Sequence, residues 1–182
     1  MVSGGANHVI AMSNTNDIYA WGDNSKAQYH EVANTHVANK ITDKDSLNPE
    51  NDDVFTSFSR VTAGWNYSVI LTNNGYLWAL GNNTYGQLGD GTYGTSNVDK
   101  FVPRQVRIGQ NESNTKLLTN IKYVAAGANS SAAIDQDGLL YVWGNNDNGQ
   151  LGVDGKIVAY PTLVEALKDN PATPNADETI LV

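Results

Sequence analysis

The side chains that could do chemistry are few and scattered. Three histidines, His8, His30 and His36, show none of the close spacing that a metal site draws on. Asp135 and Asp137 flank Gln136 just ahead of Gly138, a superficial likeness to a calcium loop, but the other oxygen ligands of such a loop are missing and a hairpin turn accounts for the pair. No serine stands in a nucleophile-elbow context. The run Gly86-Gln87-Leu88-Gly89 is glycine-rich, yet no helix follows it to cradle a phosphate. Asn-x-Ser/Thr triplets begin at Asn66, Asn82, Asn111 and Asn129, and an asparagine-rich chain produces such matches by chance. The residue inventory therefore predicts no enzyme, no cofactor and no metal.

The elements that would position any site are announced by repetition. Residues 61–89 (VTAGWNYSVILTNNGYLWALGNNTYGQLG) and 124–152 (VAAGANSSAAIDQDGLLYVWGNNDNGQLG) align without a gap, and residues 2–30 (VSGGANHVIAMSNTNDIYAWGDNSKAQYH) form a weaker third copy. The marker glycines Gly5, Gly64 and Gly127 lie 59 and then 63 residues apart, a period that belongs to stacked or radially arranged units.

Inside each copy two short runs of β-branched, aliphatic and aromatic residues flank a tight-turn signal: Asn74-Gly75, Asp137-Gly138, and Asn16 in the first copy. The spacing predicts one β-hairpin per copy. A large apolar residue then meets glycine (Trp21-Gly22, Leu80-Gly81, Trp143-Gly144), which reads as a buried anchor and a sharp exit. Asn24, Asn83 and Asn146, followed by Gln28, Gln87 and Gln150, are identical in all copies. Their expected role is to satisfy turn backbone or a neighbouring unit. The small residues around Gly5, Gly64 and Gly127 predict an inner strand with close backbone approach. In the spacers, residues 103–108 (PRQVRI) and 161–164 (PTLV) read as proline-led edge strands, and residues 41–54 as an exposed loop. Residues 162–169 (TLVEALKD) alone carry a helical spacing, and the closing Ile180-Leu181-Val182 reads as the opening strand of a further copy.

The chain has 182 residues, 40% of them apolar, a net charge of −8 and no cysteine. It is globular, without disulfides or thiolate metal sites. The acidity and the lack of a Lys/Arg cluster argue against nucleic acid and anionic membrane surfaces as partners. No apolar run reaches the roughly twenty residues of a membrane span, and the N-terminus lacks a signal-peptide pattern.

The pattern V-x-x-G-x-x-x-S, hairpin, W-G-x-N-x-x-G-Q-L-G resembles the regulator of chromosome condensation repeat, in a bacterial-type form. Gly81, Asn83, Gly86, Gln87, Leu88 and Gly89 carry the likeness, with Trp143, Gly144, Asn146, Gly149, Gln150, Leu151 and Gly152. The first copy keeps Trp21, Gly22, Asn24 and Gln28 but has Ala27, Tyr29 and His30 where the family has Gly, Leu and Gly, which puts its terminal turn in question. The resemblance implies an all-β fold of four-stranded antiparallel propeller blades, about three of the seven in a ring. The expected organisation is a single partial propeller over residues 1–182, with repeats at about 1–58, 59–121 and 122–182. Closure would fall to further blades of a longer parent chain or to a second copy.

The resemblance further implies a non-catalytic scaffold that recognises a protein partner through its blade loops. Trp65, Tyr67, Tyr85 and Tyr93, aromatic residues at positions where the copies differ or in the spacer, are the candidate contacts. Two alternatives stand beside it: a guanine-nucleotide exchange factor for a small GTPase, and an accessory domain of a larger secreted enzyme or surface protein. The lack of cysteine, the asparagine richness and the acidity favour an extracellular or cell-surface location over a cytoplasmic one.

Overall fold

The computed structural model describes residues 1–29, 34–41, 57–94, 100–109 and 116–164, and among these residues it contains strands and no helix. Three four-stranded antiparallel sheets follow one another along the chain. Blade 1 comprises β1 (Val2–Gly4), β2 (His8–Met12), β3 (Ile18–Gly22) and β4 (Thr35–Ile41); blade 2 comprises β5 (Phe58–Ala63), β6 (Tyr67–Thr72), β7 (Leu77–Gly81) and β8 (Lys100–Gln105). A small ribbon of β9 (Arg107–Ile108) and β10 (Lys116–Leu117) precedes blade 3, which comprises β11 (Ile121–Ala126), β12 (Ser130–Asp135), β13 (Leu140–Asn145) and β14 (Ile157–Leu163). In every blade the strands pair in sequence order.

The local reasons are those in the sequence. The hairpin turns sit at positive φ at Asn16, Gly75 and Gly138, so asparagine does in blade 1 what glycine does in the others. Ala27 also takes a left-handed conformation, φ 59°, and its amide donates to Asn24 O at 3.0 Å, as Gly86 donates to Asn83 O and Gly149 to Asn146 O. The turn in question in the first copy therefore forms around alanine. His30 lies outside the described residues.

The proline-bearing strands are outermost, where a missing N–H is tolerated. They begin earlier than the proline: Pro103 and Pro161 fall within stretches where the register slips, between the Gly81↔Lys100 and Ala79↔Arg104 pairs and between the Gly144↔Val158 and Val142↔Thr162 pairs. The helical spacing at residue 162 does not produce a helix. Thr162 and Leu163 pair with Val142 and Tyr141, and Val164 N donates to Leu140 O at 2.8 Å, so sheet partners override the local pattern. Residues 165–169, the 42–54 part of the expected loop and the closing Ile180-Leu181-Val182 lie outside the described residues.

The core lies between blades. One cluster joins blades 1 and 2 through Ile10, Ile18, Tyr29, Ile70, Trp78 and Leu80; a larger one joins blades 2 and 3 through Val69, Leu71, Leu77, Leu88, Val106, Leu118 and Trp143. Every residue of β6 and β7 is buried. The matching strands of blade 1 and blade 3 are partly exposed, because one face of each has no neighbouring blade among the described residues.

Candidate functional site

The identical amides are consumed by the turns. Asn24, Asn83 and Asn146 each accept, through Oδ1, the backbone N–H five residues on: Tyr29 at 3.0 Å, Leu88 at 3.1 Å and Leu151 at 2.9 Å. Gln28, Gln87 and Gln150 each accept through Oε1 the N–H two residues back, at 2.9, 2.9 and 3.0 Å. Asn83 Nδ2 also donates to Thr92 O and Oγ1, and Asn146 Nδ2 to Val153 O and Gly155 O. These groups are buried or internally bonded and have little left for a ligand. Asp135 is likewise occupied, accepting the N–H groups of Asp137 and Leu139 at 2.9 Å each, which is hairpin geometry.

The residue three places after each of the first two marker glycines, His8 and Tyr67, reaches into the next blade. His8 Nε2 lies 3.0 Å from Ser68 Oγ. The Tyr67 hydroxyl donates to Ser130 O at 2.6 Å and lies 2.9 Å from Ser131 Oγ. A Cβ on Gly5 or Gly64 would run into the His8 or Tyr67 ring, so these glycines are demanded by contact. Burial lowers the His8 pKa from 6.5 to about 4, opposed in part by the Asp23 carboxylate, and its Nδ1 is buried without a partner. Burial raises Tyr67 far above the usual tyrosine range. At the second junction Trp143 Nε1 and Ser131 Oγ both donate to Gln87 O, at 2.9 and 3.2 Å.

Just beyond the inner strands the three chains of backbone converge. Ala6 N donates to Trp65 O and Trp65 N to Ala128 O, each at 3.0 Å, so one rim passes through all three blades. An open groove of about 400 Å³ follows it, lined by residues 4–6, 63–65 and 126–128. Eight of those nine residues are glycine or alanine. The ninth, Trp65, is 53% exposed and is the one large side chain among these nine.

The four sequence candidates are not gathered in one place. Trp65 lines the groove. Tyr93 is 54% exposed but does not line it. Tyr85 is half-buried, and its amide serves Gln87. Tyr67 is fully buried between blades 2 and 3 and offers no surface to a partner, because the position three after the glycine points into the neighbouring blade. His36 is exposed on β4, and among the described residues no group of His, Asp and Glu could hold a metal ion.

Sequence reasoning missed a cluster on the inner strands. The Arg60 guanidinium sits 5.6 Å from the Tyr123 ring centre and the Lys122 ammonium 5.2 Å from it, with Tyr123 itself 44% exposed. The available signal was register: Arg60 and Tyr123 both precede the repeat's opening valine, where the first copy has Met1.

Four-stranded meanders set inner strand beside inner strand define an arc of a β-propeller. Two family profiles described as the regulator of chromosome condensation (RCC1) repeat match the chain, one at residues 74–134 and 137–174, the other at 2–28, 58–87 and 121–150. The chain belongs to this repeat family. It is 32% identical over 85% of its length to the X-linked retinitis pigmentosa GTPase regulator of Mus musculus, and 29% identical over 86% to the ultraviolet-B receptor UVR8 of Arabidopsis thaliana. It spans only 14% and 32% of those proteins. Among solved structures it superposes on human WBSCR16 (TM-score 0.69, 23% identity, 90% of this chain and 38% of that one) and on Prp20p of Saccharomyces cerevisiae (TM-score 0.68, 23% identity, 91% and 38%), the latter described with its binding to Gsp1p and histones. These two likenesses concern the fold.

Proposed function

We propose that the chain is a non-catalytic repeat scaffold that holds a protein partner against the inner-strand rim at Trp65. The observation that carries this reading is the contrast along one continuous rim. Ala6, Trp65 and Ala128 share a backbone position, and only the middle one presents a large amphipathic ring to solvent beside a groove. Exposed tryptophan set in a shallow, rigid surface is the kind of anchor that dominates protein interfaces. An open groove walled by glycine and alanine backbone fits an extended segment better than a small molecule, which a pocket must enclose. The test places a photoreactive benzoyl-phenylalanine at position 65 and, separately, at position 37 on the outer strand, where Val37 is 69% exposed. The reading requires a protein cross-link specific to position 65. Equal products from both positions, or none from 65, would remove it.

A second reading, regulation of a small GTPase by nucleotide exchange, is favoured by the GTPase-regulator name of a relative that matches 85% of this chain. It requires accelerated release of labelled guanine nucleotide from a GTPase. No acceleration across a panel would leave the scaffold reading alone.

A further inference from the structure

We infer that Arg60, Lys122 and Tyr123 form a docking point for a carboxylate-rich segment of a protein partner. The inference deepens the scaffold reading above and rests on it. Two cations share one aromatic ring at a junction between inner strands, with Arg60 on β5 and Lys122 and Tyr123 on β11. Among the described residues neither cation has an ion pair, although the chain carries 19 carboxylates against 11 lysines and arginines. Lys40 shows the ordinary alternative, an ammonium 2.8 Å from Asp17. A ring face attracts a cation but does not neutralise it, so two cations on one ring leave a local positive field. That field lies on a protein whose net charge is −8.

The chemistry this site fits is a pair of carboxylates, with the exposed Tyr123 ring packing on the adjoining methylenes. A phosphate backbone is disfavoured, because a long polyanion would meet the surrounding negative charge, whereas a short acidic segment need touch only this point. Arg60 precedes Trp65 by five residues. Even fully extended chain would separate them by no more than about 16 Å, within reach of a short acidic segment running along β5 and past its end at Ala63.

The experiment is a fluorescence-anisotropy titration of the intact chain with fluorescein-labelled octaglutamate, octaglutamine and single-stranded oligothymidine. The inference requires that octaglutamate bind, that octaglutamine bind at least fivefold more weakly, and that Arg60→Gln with Lys122→Gln weaken octaglutamate at least fivefold. Arg60→Lys with Lys122→Arg keeps both charges and should retain affinity within twofold, which separates loss of charge from loss of fold; Val37→Ser on the outer strand should do the same. Undiminished octaglutamate binding by the glutamine pair, equal binding of octaglutamine, no binding of octaglutamate, or tighter binding of oligothymidine would each overturn it. A missing cross-link at position 65 beside charge-dependent octaglutamate binding would sink the Trp65 reading alone. The reverse pattern would sink this inference alone.

Discussion

The two blade junctions share a backbone and differ in chemistry. Both pass the rim from amide to carbonyl at 3.0 Å, both set a serine or threonine hydroxyl under an inner-strand amide (Ser3 under Ala63, Thr62 under Ala126), and both press a ring onto a marker glycine. Between blades 1 and 2 that ring is a histidine with one nitrogen unpartnered. Between blades 2 and 3 it is a tyrosine whose hydroxyl meets Ser130 and Ser131, and Trp143 adds a second bond to Gln87. The contrast teaches that the repeat fixes backbone and turns, while the side chains filling each junction vary.

The largest expected break is at the second junction. Trp143 is fully buried, so Trp143→Ala should cost about 3–5 kcal/mol in chemical denaturation. Its counterpart Trp21, at the edge of an arc with no neighbouring blade on that side among the described residues, is only partly buried, and Trp21→Ala should cost about 1–2 kcal/mol. Equal losses would mean that the two positions are not differently enclosed.

Acid should break the first junction selectively. Because burial holds folded His8 at about 4 against 6.5 in the open chain, the unfolded state binds the proton more tightly between those values. Stability is therefore full above pH 6.5 and falls as pH drops toward 4, by on the order of 3 kcal/mol. His8→Tyr, which installs the residue of the second junction, should remove this slope from a pH series of denaturation midpoints. An unchanged slope would assign the acid sensitivity to other groups.

Two smaller changes sharpen the contrast. Tyr67→Phe strips the hydroxyl from the buried Ser130–Ser131 pair and should cost about 1–2 kcal/mol. Ala27→Gly relieves a left-handed alanine and should stabilise the first copy by about 0.5–1 kcal/mol, since glycine's extra freedom in the unfolded chain offsets part of the gain. A fall in melting temperature on Ala27→Gly would contradict the observed turn.

Much of this fold was legible because its signals are local. Turn residues two to five places apart select the hairpins, and the Asn and Gln amides close their own turns. The outer strands were harder: proline marks an edge position, but the bulges that admit Pro103 and Pro161 shift the strand start upstream. The site was legible only in part. Variation among copies singled out both Trp65 and Tyr67, yet one faces solvent and the other the next blade, a difference set by packing between residues some sixty positions apart. The Arg60–Tyr123 contact joins separate copies in the same way, and no local spacing announces it.

The repeated residues build the arc, and binding is proposed for the variable residues of the inner rim. Partner retention by Trp65→Ala and by Gln87→Ala, each corrected for its folded fraction, tests this division most directly. Trp65→Ala should keep the native denaturation midpoint and lose the partner at least tenfold, while folded Gln87→Ala, though destabilised, should still retain it. Retention by folded Trp65→Ala, with loss in folded Gln87→Ala, would contradict it.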